Sequence, residues 1–361
     1  MEKIIFDNII FYWQRSGGIS VVWYELMKRF LENNDNVGFV DYDATSENKY
    51  YGKLNIPAAR IVRYCQVKGL KLRRYLSVKV KSKTTFIFHS TYYRICRNRK
   101  AVNILTVHDF TYEYFRHGIS KWVHCISKRY SIRKSDYVIC ISENTKKDLL
   151  KFIPQVDESK IRVIYNGVGK SFRMLDEELR YNDTDEKYLV FIGGRDKYKN
   201  FDIALETAKL VDMKLLIIGK RLSDKEIMLV NSYIGNNYSD LGFIDDEKLN
   251  QIYNKAFALI YPSSYEGFGI PVIEAQKAGC PVIAMNRSSI PEVIGNKDLL
   301  ADTEDCCEFA EKVRLLFDSE YRERTIKDGL VNSQRFCWDK TYEEYKKLYL
   351  SILGAENVRN N

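Results

Sequence analysis

An α/β architecture with two Rossmann-like domains in tandem is the fold class this sequence predicts, on three observations. Its 361 residues exceed the roughly 250 at which a single core stops growing. Short runs rich in branched and aromatic residues alternate with helix-compatible stretches along the whole chain. The alternation stops once, in a polar, acidic stretch from Asp176 to Lys187, and then restarts.

The N-terminal MEKIIFDNIIFYW reads as a first strand rather than a signal peptide, because Glu2 and Asp7 interrupt it and no small-residue cleavage site follows. A Ser16-Gly17-Gly18 turn leads into a helix. From Ile19 the apolar positions Val22, Trp23, Leu26, Met27, Phe30 and Leu31 keep the spacing of a stripe packed on a sheet. Strands follow at 37–43, 84–90, 103–109 and 136–142, and IRVIYNGV (161–168) closes the first series. The second series runs through 188–194, 214–219, 241–244, 256–262 and 280–285. The expected division is a first domain over 1–170, a linker over 171–187, a second domain over 188–335 and a final helix over 336–361. In that helix Trp338, Tyr342, Tyr345, Tyr349 and Ile352 recur at helical spacing, with Asp339 as the expected N-cap and Glu343 and Lys347 as a pair.

With 45% hydrophobic and 29% charged residues, 6 Pro and 19 Gly, disordered and collagen-like classes are excluded. The eight cysteines form no C-x-x-C, which argues against a zinc ribbon or a redox dithiol. No run of about eighteen uncharged apolar residues occurs, so a reduced, cytosolic protein is expected. The net charge of +9 is unevenly spread: residues 1–170 hold 31 Lys+Arg against 15 Asp+Glu, and residues 51–100 hold 14 basic residues and no acidic one. That block suits a polyanionic partner, with an anionic membrane surface as the candidate. Within it, Ile61, Val62, Leu70, Leu72, Tyr75 and Leu76 interleave with cations as in an amphipathic interfacial element. A solvated basic helix packed by its apolar face is an equally good reading. Nucleic acid is not expected, since no zinc finger, ribonucleoprotein aromatic signature or basic zipper is present.

The most specific segment is Ser264-Tyr265-Glu266-Gly267-Phe268-Gly269-Ile270-Pro271-Val272-Ile273-Glu274-Ala275. Two glutamates stand eight residues apart across a strand-to-helix junction. The glycines permit close approach of the backbone to a ligand, and Pro271 suits a first helical turn whose amides face the cleft. This E-x7-E arrangement resembles that of retaining family 4 glycosyltransferases of the GT-B fold, which transfer a sugar from a nucleotide donor. Further segments resemble the family in order: the Gly17-Gly18 loop, Thr106-Val107-His108-Asp109, Ile141-Ser142-Glu143, Tyr165-Asn166-Gly167-Val168, Gly193-Gly194-Arg195-Asp196-Lys197-Tyr198-Lys199-Asn200, and Leu241-Gly242-Phe243-Ile244.

The resemblance implies roles. Arg195 and Lys199 bind the donor diphosphate, and cations at a helix start oppose the macrodipole, which itself calls for a functional explanation. Glu274 binds the ribose hydroxyls, and Glu266 contacts the transferred sugar together with backbone amides around Phe268, Gly269 and Ile270. His108 supports the transition state near the donor sugar, while Gly17 and Gly18 let the backbone approach the sugar phosphate or acceptor. Asp109 reads as a cap or a His108-orienting group as readily as a participant; Ser142 reads as an N-cap and Asp245-Asp246 as a helix start, not a metal site. The family implies substitution on one face of the sugar with retained configuration, so the two carboxylates are not a glycosidase pair. No cofactor beyond the nucleotide sugar as co-substrate, and no divalent metal, is expected. The implied partners are a UDP- or GDP-sugar and a glycan or lipid-linked acceptor, as in bacterial surface polysaccharide assembly. They would meet in a cleft between the domains, and the final helix is a candidate to cross back to the first. The alternatives are a nucleotide-sugar epimerase or hydrolase of the same fold, and a non-catalytic basic module binding lipid or nucleic acid.

Overall fold

Runs of branched and aromatic residues buried on both faces pair into two separate all-parallel sheets, seen in a computed structural model that describes residues 3–15, 17–66, 68–70, 74–181 and 186–360. The chain divides into one unit of residues 1–166 with 338–361 and a second of residues 167–337.

The first unit runs β1 (Ile4–Asp7), α1 (Ile9–Trp13), α2 (Gly18–Glu32), β2 (Val37–Tyr42), β3 (Ile61–Cys65), β4 (Phe86–Ser90), β5 (Ala101–Val107), α3 (Thr111–Phe115), α4 (Gly118–Lys134), β6 (Tyr137–Cys140), α5 (Glu143–Phe152) and β7 (Ile161–Val163), with sheet order β3-β2-β1-β4-β5-β6-β7. Its core sets Phe6, Trp23, Phe30 and Phe39 against Tyr342, Tyr345 and Tyr349 of the C-terminal helix Trp338–Asn360. The Phe30 and Tyr349 rings stack at 5.7 Å. The second unit runs β8 (Tyr188–Ile192), α6 (Phe201–Leu210), β9 (Lys214–Ile218), α7 (Asp224–Ile234), β10 (Tyr238–Gly242), α8 (Asp246–Lys255), β11 (Ala258–Tyr261), α9 (Ile270–Lys277), β12 (Val282–Met285), α10 (Ile290–Val293), β13 (Leu300–Ala301), α11 (Cys306–Leu315) and α12 (Ser319–Ser333), with sheet order β10-β9-β8-β11-β12-β13.

Several expectations are corrected. The opening strand is only Ile4–Asp7; the apolar run after Asn8 coils into α1, whose Ile9, Ile10 and Phe11 are all buried. The basic stretch gives no continuous helix, since Ile61–Cys65 pairs with β2 as an edge strand; Leu72 lies outside the described residues, and Leu70 and Tyr75 flank that gap. The stretch read as a linker belongs, where described, to the second unit. Phe172 is buried there, the Arg173 and Leu175 amides donate to Asn250 and Asn254 side chains, and the Tyr181 amide donates to the Asn254 carbonyl at 2.7 Å. Asp339 lies inside the first turn of the C-terminal helix rather than capping it, and its carboxylate accepts from Arg29 Nε at 2.6 Å. Ser142 and Asp245 do cap α5 and α8, accepting from the Thr145 and Lys248 amides.

Candidate active site

In an open parallel sheet the loops after two neighbouring strands diverge where the strand order reverses, leaving a crevice for a ligand. In the second unit those strands are β8 and β11. The loops that follow them are the two segments that carry the Arg195-to-Asn200 and Glu266-to-Glu274 motifs.

After β8 the backbone must cross close to the end of β9: a Cβ on Gly219 would fall 2.6 Å from the Gly193 carbonyl oxygen, so that contact requires glycine. A 3-10 turn, Lys197–Lys199, then ends at Asn200 in the left-handed region (φ 49°), which Asn tolerates. Asn200 Nδ2 donates to the Pro262 carbonyl at 3.0 Å and to Ser264 Oγ at 2.7 Å, and the Ser264 amide donates to the Tyr198 carbonyl at 2.8 Å. These bonds lock the β8 loop to the β11 loop. Lys199 Nζ therefore lies 2.5 Å from Glu266 Oε1, with both side chains largely buried.

The turn that carries Glu266 is pinned from β12. Its amide donates to Ser288 Oγ at 2.8 Å, and Ser289 Oγ lies 2.9 Å from the carbonyl oxygens of both Glu266 and Phe268. Gly269 adopts φ +102°, and a Cβ there would stand 2.7 Å from Ile290 Cδ1. From Gly269 the chain enters α9 at Ile270, with Pro271 in the first turn, so the positive end of the helix points at this crevice. Glu274 is the fifth residue of α9 and half-buried. The Tyr261 hydroxyl at the end of β11 bonds Glu266 and feels the charge of Glu274; burial first, then the two carboxylates, push it well above the usual tyrosine range. Buried Tyr253 also senses Glu274, and its hydroxyl finds no partner.

Arg195 does not join Lys199. Its Nε donates to Glu226 Oε1 at 2.6 Å and its Nη2 to the Arg221 carbonyl at 3.1 Å. Glu226 also accepts from the Ser223 amide in the capping box of α7, and the Arg195 hydrogen bond, foremost, holds its carboxyl down at about 2. The Arg195 Nη1 is buried without a partner, a donor that an anionic ligand would satisfy.

The first sheet reverses between β1 and β4. His108 follows β5, buried, with its Nε2 unpartnered. Burial lowers its pKa to about 4, outweighing Asp109, so the imidazole is neutral near pH 7. The Asp109 carboxylate accepts from the Thr111 amide at 2.9 Å in a local turn without capping α3, whose N-cap position is Phe110, and the Asp109 carbonyl accepts from buried Lys128 at 2.5 Å. Gly17 and Gly18 open α2; a Cβ on Gly17 would approach Gln14 Oε1 at 3.0 Å, whereas Gly18 faces open space. Ser16 lies outside the described residues.

Sequence reasoning missed Glu226, Tyr261, Ser288, Ser289 and Lys128. A capping-box spacing from Ser223 to Glu226 was there to find, but nothing local ties Ser288 and Ser289 to a turn some twenty residues earlier.

Residues 16–171 match the family described as Glycosyltransferase Family 4, and residues 177–330 match that described as Glycosyl transferases group 1. An uncharacterized glycosyltransferase of Methanocaldococcus jannaschii is 25% identical over 96% of this chain and 97% of its own length. The O-antigen chain mannosyltransferase B of Escherichia coli is 31% identical over 47% of this chain and 48% of its own. Among solved structures, Anabaena HepE in complex with UDP and glucose superposes with a TM-score of 0.72 at 13% identity, covering 97% of this chain and all of that one (100%). With both halves matched in order and two parallel sheets of this topology, the chain belongs to the GT-B glycosyltransferases of these families.

Proposed function

We propose that this glycosyltransferase moves a sugar from a UDP- or GDP-sugar to a hydroxyl of a glycan or lipid-linked acceptor, with retained anomeric configuration, in surface polysaccharide assembly. The observation that carries the donor half is the Lys199–Glu266 pair at the strand-order reversal, beside the N-terminus of α9. Lys199 has three donors, enough to hold Glu266 and a phosphate oxygen together. As the bond from the anomeric carbon to the phosphate breaks, charge develops on the diphosphate, where Lys199, Arg195 and the end of α9 stabilise it. Glu266, fixed by Lys199 and Tyr261, accepts from the sugar hydroxyls; Glu274 accepts from the ribose hydroxyls. Neutral His108, by the family resemblance, has an imidazole nitrogen to offer the sugar. In this reading no divalent ion is needed, since the cations and the helix dipole supply the positive charge. The O-antigen relative supports the polysaccharide assignment, and the basic stretch 51–100 suits an acceptor held at an anionic surface on the cytoplasmic side.

The experiment is transfer from a panel of radiolabelled UDP- and GDP-sugars to membrane lipid extract in the presence of EDTA, with linkage configuration read by NMR. Lys199→Ala and Glu266→Gln are each expected to lower kcat/KM by about 10²–10³-fold, the usual cost of one transition-state electrostatic contact. Activity that requires added metal, an inverted product, or variants as active as wild type would contradict the reading.

A further inference from the structure

A surface helix ordinarily turns its apolar side inward, and α4 does the reverse. Its buried positions are His124, Cys125, Lys128, Ser131 and Ile132. Facing solvent are Ile119 (83% exposed), Trp122 (68%) and Ile126 (61%), with Val123 and Tyr130 exposed beside them. At about 100° per residue these five positions fall within roughly 100° of arc. Arg129 and Lys134 border the arc on its two sides, and Arg133 closes its C-terminal end. The helix carries five basic residues and no acidic one.

The inversion has a physical cause. The inward Lys128 is held by the Asp109 carbonyl, by Glu113 at 3.2 Å and by the face of the Phe110 ring at 3.6 Å. Polar contacts thus seat α4 on the sheet, leaving its hydrocarbon for another partner. The basic stretch adjoins it: the Tyr92 ring meets His124 of α4 at 6.1 Å and Tyr75 at 6.4 Å, and Leu76, next in the chain, is exposed.

We infer that α4 is a membrane-docking helix, lying flat on an anionic leaflet with Ile119, Trp122, Val123 and Ile126 among the acyl chains and Arg129, Arg133 and Lys134 against lipid phosphates. An apolar face bearing Trp, bordered only by cations, fits the boundary between headgroups and acyl chains. Among the described residues no helix is long and apolar enough to cross a membrane, so α4 lies on the bilayer. The inference stands on this surface and does not depend on the chemistry proposed above.

The test is flotation of the purified full chain with vesicles of phosphatidylcholine alone or mixed with phosphatidylglycerol. Wild type is expected to float with the mixed vesicles, with a blue shift of tryptophan emission. Trp122→Phe should keep flotation and lose most of the shift, since Trp23 and Trp338 are already buried and Trp13 is half-buried beneath the Arg74 guanidinium, 3.6 Å from its ring. Trp122→Ser with Ile126→Ser should weaken binding at least tenfold while circular dichroism and melting temperature stay unchanged. Failure of wild type to float with mixed vesicles overturns the inference. So does undiminished flotation of the double variant, which would leave the basic stretch as the sole contact, or a wild-type dimer that the double variant abolishes, which would make α4 a contact between copies.

Discussion

Burial decides the chemistry of His108 more than its neighbours do. The lowered pKa of about 4, against 6.5 for an ordinary imidazole, has a stability consequence. Between those values the unfolded chain binds the proton and the folded chain does not, so stability falls as pH drops below 6.5 and levels off below about 4. From pH 7 to pH 5 this one residue costs about 2 kcal/mol. Denaturant unfolding of wild type and His108→Gln at both values should show the variant losing less stability by that amount; parallel losses would contradict the burial argument. At this scale the sequence was legible where a residue type was chemically unusual. Glu266 and Lys199, from two separate motifs, lie in contact at 2.5 Å. Arg195 was harder to read, because its partner Glu226 belongs to the next helix and only the fold brings them together.

At the scale of elements, α9 shows why Gly-x-Gly before a proline was readable. Gly269 adopts φ +102°, and its missing Cβ leaves the place that Ile290 Cδ1 occupies. Gly269→Ala combines backbone strain with overlap, and should destabilise the second unit by about 1–3 kcal/mol. Adding Ile290→Ala should recover none of the backbone part; full recovery in the double variant by thermal melting would show that overlap alone was the cost. The strands with strong runs, such as β4, β5, β8 and β9, were legible within a few residues. Those that were not have physical reasons. The one cation of β3, Arg63, is tolerated because its side chain is exposed on an edge strand, and β13 is two residues long. The apolar run after Asn8 reads as strand by composition, yet α1 buries the same residues in the core of the first unit.

At the scale of the whole molecule, alternation of strands and helices with a single restart announces two sheets, and each sheet's reversal of strand order falls beside segments that carry motifs. The acidic stretch at the restart suggested a linker, but asparagines of α8 recruit its backbone into the second unit. The helix after Cys337 returns to the first unit through tyrosines whose hydroxyls meet buried partners, as in the 2.6 Å contact of Tyr349 with His89. The proposed grip of the second unit on a nucleoside diphosphate through Lys199, Glu266 and Glu274 is open to one decisive experiment, thermal unfolding with UDP, GDP, ADP and TDP, without metal. A ligand that binds only the folded state raises the melting temperature. A selective rise with UDP or GDP is expected in wild type and is lost in Glu274→Ala; no rise with any nucleotide, or an equal rise in the variant, would rule that grip out.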